Sequence, residues 1–336
     1  MLKKSIIIIT LIAISSFLYW QNLNLSVVAD GRAEVLMINK GETVSQIADN
    51  LRQKNLIRSP FYFKYVIWRD QLKIKAGEYL ISSRLSAREV IKLLTAGEAI
   101  SQEKSIRIIE GWNLKDIGAY LEKNQVVTAK GFTVLAGAIL ADWKFNFTKP
   151  EFLNDAPRQA DLEGYLFPDT YRIFKDTAAE EIIGKMLANF DKKLTPEMKM
   201  EIKRQKKTIY EIIIMASIIE KEVRSLEDMK IVSGIFWNRI KNGMPLQSDA
   251  GLSYILDDKI GGHTLEQTKI DSPYNTYKYR GLPPGPIANP GLNAIIAAIY
   301  PEATNYTYFL SDPATGKTIY GKTLKEHNIN RFKYLK

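Results

Sequence analysis

The chain has 336 residues, 46% hydrophobic and 10% aromatic, enough for two or three domains with sizeable cores. It has no cysteine and only two histidines, His263 and His327, which rules out thiol chemistry and disulfides and leaves triads or histidine-rich metal sites poorly supplied. The net charge of +10 is spread along the chain, and its densest run, Lys203-Arg204-Gln205-Lys206-Lys207, reads as a solvated helix face or loop with no nucleic-acid signature beside it.

The first element is an uncharged run from Ser5 to Trp20, close to the ~20 residues of a spanning helix. Lys3 and Lys4 precede it, and Tyr19 and Trp20 end it, as positive-inside and aromatic-belt preferences ask. Bulky residues, FLYWQNL, stand where a signal peptidase would need small ones. The expectation is a cytoplasmic tail (1–4), then a single uncleaved transmembrane anchor with its flank (5–25). The remainder then lies on the non-cytoplasmic side.

Two segments seventy residues apart look alike, INKGETVSQIADNL (38–51) and IIEGWNLKDIGAYL (108–121). Ile38, Gly41, Val44, Ile47 and Leu51 align with Ile108, Gly111, Leu114, Ile117 and Leu121. Each predicts a strand end, a glycine turn and an amphipathic helix capped by Thr43 or Asn113. Pro60 starts a second helix, AGEYLI (76–81) reads as a strand, and Ser86 with Glu89 caps a helix to Ala96. Residues 33–100 form a small α+β module and 101–158 a second repeat-like subdomain. The SQEK at 101–104 matches Ser-x-x-Lys without companion motifs and reads as chance.

Residues 159–336 predict a mixed α+β domain around one central helix. LEGYLFPDTYRI (162–173) reads as extended chain, followed by a helix near Ala178–Lys193. Thr208 and Glu211 form a capping box for IYEIIIMASIIEKE, which is apolar on nearly every face and therefore central. Ser225 caps the next helix, which ends at Gly243; a loop, MPLQSDAG, follows. SPYNTYKYRGLPPGPIANPG (272–291) predicts a long ordered loop lining a site, with Asn289 as N-cap and Pro290 as first residue of a helix. GKTIYGKT (316–323) matches the phosphate-loop pattern literally, but KTIY reads as a strand and too little chain follows for a nucleotide domain.

Glu220 stands at the end of the apolar helix, with Ile213, Ala216, Ser217 and Val223 on its face; Met215, Ile218 and Ile219 lie beside Glu222. Periodicity does not choose between the two carboxyls. Burial would raise either pKa, as a general acid for glycosidic cleavage requires.

ASIIEKEV (216–223), FWNRI with GMPLQSD (236–249), YNTY (274–277), GLPPGPIANPG (281–291) and LEGYLFPDTY (162–171) together resemble the YceG-like endolytic murein transglycosylase family, over nearly the whole chain. The resemblance implies a LysM-like, glycan-binding reading of residues 33–100 and a catalytic YceG-like domain over 159–336. It implies Glu220, first of the Glu-Lys-Glu triplet, as catalytic residue. Gln247, Ser248, Asp249, Tyr274, Asn275, Thr276 and Tyr277 are then expected along the substrate groove, walled by Tyr274, Tyr277 and the Pro283–Pro286 loop. The implied reaction cleaves the MurNAc–GlcNAc bond of peptidoglycan to a 1,6-anhydro end, limiting strand length, with no cofactor, metal or nucleic acid involved. The implied setting is the inner membrane, with the C-terminal part periplasmic beside peptidoglycan synthases. A non-catalytic peptidoglycan-binding scaffold, and a water-using muramidase with Glu222 or Asp249 as base, are the alternatives.

Overall fold

A computed structural model of the chain describes residues 10, 14–15, 18–27, 33–96, 103–174, 177–258 and 262–335. The fold is mixed α+β, with three two-stranded sheets among the described residues. The expected anchor lies partly outside those residues; among them, no helix is long and apolar enough to cross a membrane. The chain divides into two compact units, Met1–Lys104 and Ser105–Lys336.

The first unit runs β1 (Ala33–Ile38), α1 (Val44–Gln53), α2 (Pro60–Arg69), β2 (Gly77–Ser82) and α3 (Ala87–Ala96). β1 and β2 pair antiparallel, Ala33 opposite Ser82 and Ile38 opposite Gly77. Leu36 and Ile38 of β1 join Tyr79 and Ile81 of β2 in a core completed by Ile47, Leu51, Phe63, Val66 and Leu94 from the helices. The predicted caps form: Thr43 makes a reciprocal box with Gln46, and Ser86 one with Glu89; Ser59, which the sequence reading did not name, caps α2 ahead of Pro60.

The same order recurs at the start of the second unit: β3 (Glu103–Arg107), α4 (Leu114–Lys123), α5 (Ala129–Ala136), β4 (Thr170–Phe174) and α6 (Ala179–Lys193). β3 and β4 form a two-stranded sheet of their own, as β1 and β2 do. The likeness seen in the sequence is thus wider than the aligned segments. Gly41 and Gly111 take the same left-handed turn, at φ +88° and +78°. Asn113 and Asp116 repeat the capping box, and Asn55 and Gln125 take the same left-handed residue after the helix. The helix α5 was not foreseen: Thr128 caps it as Ser59 caps α2. The second copy also carries an insertion, residues 137–169, between α5 and β4.

The remainder builds on the helix of residues 209–222. α7 (Pro196–Arg204), absent from the sequence reading, is capped by Thr195 with proline at its first position, and it contains the start of the basic run. α8 (Ile209–Glu222) is buried from Ile212 through Ile219, because isoleucine, methionine, alanine and serine occupy every face. Its capping box is the predicted pair Thr208 and Glu211. α9 (Leu226–Lys241), α10 (Asp249–Leu256) and α11 (Leu292–Ile299) pack on it. The core containing Ile106, Ile117 and Leu121 also contains Ile213, Met215 and Ile295, so residues 106–299 share one interior. β5 (Tyr308–Ser311) and β6 (Thr318–Gly321) form the C-terminal hairpin before α12 (Leu324–Tyr334). TIYG of the phosphate-loop match is therefore strand β6, a strand as the sequence reading held.

Two local expectations change. MPLQSDAG is not all loop: Ser248 caps α10, which starts at Asp249. Asn289 is not a helix cap either; α11 begins at Leu292 with Gly291 at its N-cap. The Asn289 side chain is fully buried and committed elsewhere, as the site shows.

Candidate active site at the end of helix α8

The loop 281–291 lies along α8 and runs in the same direction. The Tyr210 hydroxyl donates to the Pro284 carbonyl at 2.7 Å, the Ile287 N–H donates to Ser217 Oγ at 3.1 Å, and the Gly291 N–H donates to Glu220 Oε2 at 3.0 Å. Ser217 lies on the face of Glu220, so one helical face fixes the loop and presents the carboxylate.

The insertion and the turn of the second repeat close in from the other direction. Asn289 connects them. Its N–H and Nδ2 donate to the Trp112 carbonyl at 2.8 and 2.9 Å, its Nδ2 donates to Glu163 Oε1 at 2.9 Å, its Oδ1 accepts the Leu166 N–H at 2.8 Å, and its carbonyl accepts the Gly111 N–H at 2.9 Å. Lys221 donates its Nζ to the Gly111 carbonyl at 2.8 Å. A Cβ on Gly111 would lie 3.4 Å from Glu220 Cγ, so the turn rests against the stem of this carboxylate.

Glu220 is half-buried. Burial raises its carboxyl to about 7; the Gly291 N–H opposes the rise, the Glu110 carboxylate adds to it, and Lys221 opposes it. Near neutral pH the group can then either give or take a proton, which general acid–base work requires.

Glu222 has other partners, since residues two apart on a helix diverge by about 200°. Its Oε1 accepts the Ser248 hydroxyl, and burial raises it to about 7 also, with Ser248 opposing, Asp249 adding and Arg239 opposing. Arg239, itself buried, donates to the carbonyls of Leu246, Pro245 and Thr307 and to Gln247 Oε1. The Gln247-Ser248-Asp249 segment is thus fastened to the second glutamate of the triplet.

The predicted groove residues fall into three groups. Asn275 and Thr276 are buried: Asn275 Nδ2 donates to the carbonyls of Thr268 and Ile270, and Thr276 Oγ1 donates to the Ser248 carbonyl and accepts the Ser248 N–H. Their polar atoms hold the loop together. Tyr277 donates its hydroxyl to Asp249 Oδ1 at 2.7 Å, and exposed Gln247, at φ +54°, donates its N–H to the Thr276 carbonyl. Tyr274 stands apart from these. It packs on Tyr254 at 5.1 Å and lines a cavity of about 200 Å³ with Asp161, Glu163, Tyr210 and Pro284–Pro286.

Glu163 is the least solvated carboxyl of this cluster, 5% exposed. It accepts the Leu114 N–H at the start of α4, yet burial outweighs that donor and, with Asp161 adding, brings it to about 8. As site residues, sequence reading passed over Glu163, Asn289 (taken for a helix cap), Gly291 and Glu110. The first three sit inside the segments LEGYLFPDTY and GLPPGPIANPG, so their neighbourhood was marked although their roles were not. Among the described residues, no group of histidine, aspartate and glutamate is arranged to hold a metal ion.

The sequence profile of the YceG-like family matches residues 36–333. An endolytic murein transglycosylase of Bacillus subtilis is 33% identical over 329 residues, covering 95% of this chain and 90% of that protein. One of Streptococcus pneumoniae (serotype 2, strain D39) is 32% identical over 316 residues, covering 87% of this chain and 57% of that longer protein. A crystal structure of a YceG-like protein from Listeria monocytogenes matches with a TM-score of 0.59 at 32% identity, covering 89% of this chain and 99% of that one. With the profile spanning both repeats, α8 and the C-terminal hairpin, the chain belongs to the YceG-like family.

Proposed function

We propose that this chain is a lytic transglycosylase that cleaves the MurNAc–GlcNAc bond within peptidoglycan strands and leaves 1,6-anhydro-MurNAc ends. The observation that carries the reading is Glu220: a carboxyl at the end of a buried helix, raised to about 7, with one N–H on Oε2. The endolytic murein transglycosylases to which the chain is similar support the same substrate.

Protonated Glu220 donates to the glycosidic oxygen, and positive charge develops at the muramic C1. The carboxylate so formed takes the proton of the muramic C6 hydroxyl, which attacks C1. One group serves both steps, so Glu220 returns to its acid form and no water is consumed. The C6 hydroxyl competes well with water because it is tethered to the reacting ring, an advantage of up to ~10⁵ M in effective concentration when the geometry is held. Glu222 and Asp249 are the candidate bases of a water-using muramidase. Their hydrogen bonds with Ser248 and Tyr277 favour the reading that they fix the 247–249 and 274–277 segments instead.

In this proposal residues 1–4 are cytoplasmic, residues 5–25 anchor the chain in the inner membrane and the residues after them are periplasmic, where cutting new strands beside peptidoglycan synthases limits their length. Residues 33–100 act as a LysM-like module on the glycan. Gln247, Asp249, Tyr274 and Tyr277 border the groove, and Ser248, Asn275 and Thr276 hold its shape. Digestion of glycan strands in heavy-oxygen water tests the reaction. The expected products carry no label and are lighter by one water than hydrolysis products; labelled reducing ends as the majority would move the protein to the muramidases.

A further inference from the structure

Glu110 stands in the glycine turn of the second repeat, where the first repeat has Lys40. Its side chain is exposed, and it lies directly on the Cα of Gly291: a Cβ built there would fall 2.0 Å from Glu110 Oε1 and 2.2 Å from its Cδ. A side chain at 291 would have to push the Glu110 carboxyl aside. The N–H of the same Gly291 holds Glu220 Oε2 at 3.0 Å. With standard geometry around Gly291, the two carboxyl groups lie within about 7.5 Å of one another. That bound overlaps the separations found where a pair of carboxyl groups flanks a scissile glycosidic bond, roughly 5–9.5 Å.

We propose that Glu110 is the second carboxylate of the active site: it faces Glu220 across Gly291, holds Glu220 in its acid form before cleavage, and lies against the positive charge that develops at the sugar C1. The proposal rests on the transglycosylase reading and adds a residue to it. Its direction follows from charge. An ionised Glu110 disfavours a second negative charge at Glu220 and favours a cation between them. The other groups are accounted for. Lys221, on α8 itself, opposes Glu110; α11 has no titratable side chain; Arg239 of α9 and Asp249 of α10 face Glu222. Glu163 and Asp161 of the insertion are coupled to each other.

Glu110→Gln tests this in the full-length protein, because it preserves shape and removes charge. The direct reading is the titration of Glu220 by carbon NMR of carboxyl-labelled glutamate, the signal assigned by its loss in Glu220→Gln. The midpoint should fall in Glu110→Gln by about half a pH unit, the screened interaction of two partly exposed charges. Glu110→Asp should keep most of the wild-type value. In glycan cleavage, the alkaline limb should move to lower pH by the same amount, lowering the rate at pH 7.5 on the order of threefold. An unchanged Glu220 midpoint and limb would overturn the proposal and leave Glu110 a surface residue. If the wild type failed to cleave glycan at all, the transglycosylase reading would fall, while the titration would still report whether the two carboxyls are coupled.

Discussion

The two strand–helix–helix–strand–helix copies share a turn and differ in what surrounds it. In the first copy nothing lies within 4 Å of where a Cβ on Gly41 would be, and the Asn39 N–H closes the turn locally on Glu42 Oε2 at 3.0 Å. In the second, Gly111 takes the same backbone shape but is held by Asn289 and Lys221 and touches Glu220. Glycine, cap and helix are local devices that either copy can build alone. The candidate site arises only where the 137–169 insertion, the 281–291 loop and α8 close on that turn. A turn that closes on itself in one copy lies, in the other, against the stem of Glu220.

The largest break in this comparison should come from Asn289→Ala. It leaves the Leu166 N–H and a lone pair of Glu163 without partners in a fully buried place, and removes one of the two donors on the Trp112 carbonyl, the backbone N–H remaining. Lost bonds to buried groups of this kind cost about 3 kcal/mol or more in total. Denaturant unfolding of the second unit should move by that amount, while the first unit, which has its own core, should not.

A matched pair of glycine changes sharpens the point. Gly41→Ala and Gly111→Ala should each lower stability by about 1–2 kcal/mol, because both require a left-handed backbone. Only Gly111→Ala should lower glycan cleavage, by about tenfold or more, since relaxing the strain displaces the wall beside Glu220. Equal activity losses in the two would erase the distinction between the copies.

The smaller effect is in pH. Only the second copy starts its helix against a buried carboxyl, Glu163, raised to about 8. The folded chain holds that proton more tightly than the unfolded one does. Stability from this group is therefore complete below the unfolded carboxyl range and is lost as pH rises through about 8. Glu220 and Glu222, both near 7, act in the same direction. Melting should fall between pH 5 and 8.5, and Glu163→Gln should flatten the fall by about a few degrees.

What was legible in the sequence was largely local. Thr43, Asn113, Thr208 and Ser225 announced their helices because capping is settled within four residues. The all-apolar run of α8 announced a central helix because no face was left for water. Glu220 came from family resemblance, since spacing alone left it level with Glu222. Asn289 misled because Asn-Pro is a common helix start, whereas its side chain is taken by partners 123 to 177 residues away in the chain. Short α10 and α5 were missed for want of an apolar period long enough to see. Glu110 gave no signal: an exposed glutamate in a turn looks alike whether it faces water or another carboxyl.

The central claim is that Glu220 carries the proton for cleavage. Glu220→Gln keeps the shape of the side chain and an oxygen to accept the Gly291 N–H, but it cannot exchange a proton. The cleavage rate of purified glycan strands by this variant, with its melting curve as control, tests the claim most directly. The account predicts an unaltered melt and a rate lower by about 10³-fold or more, with Glu222→Gln costing much less. A Glu220→Gln protein that cleaves within a few-fold of the wild type would contradict it.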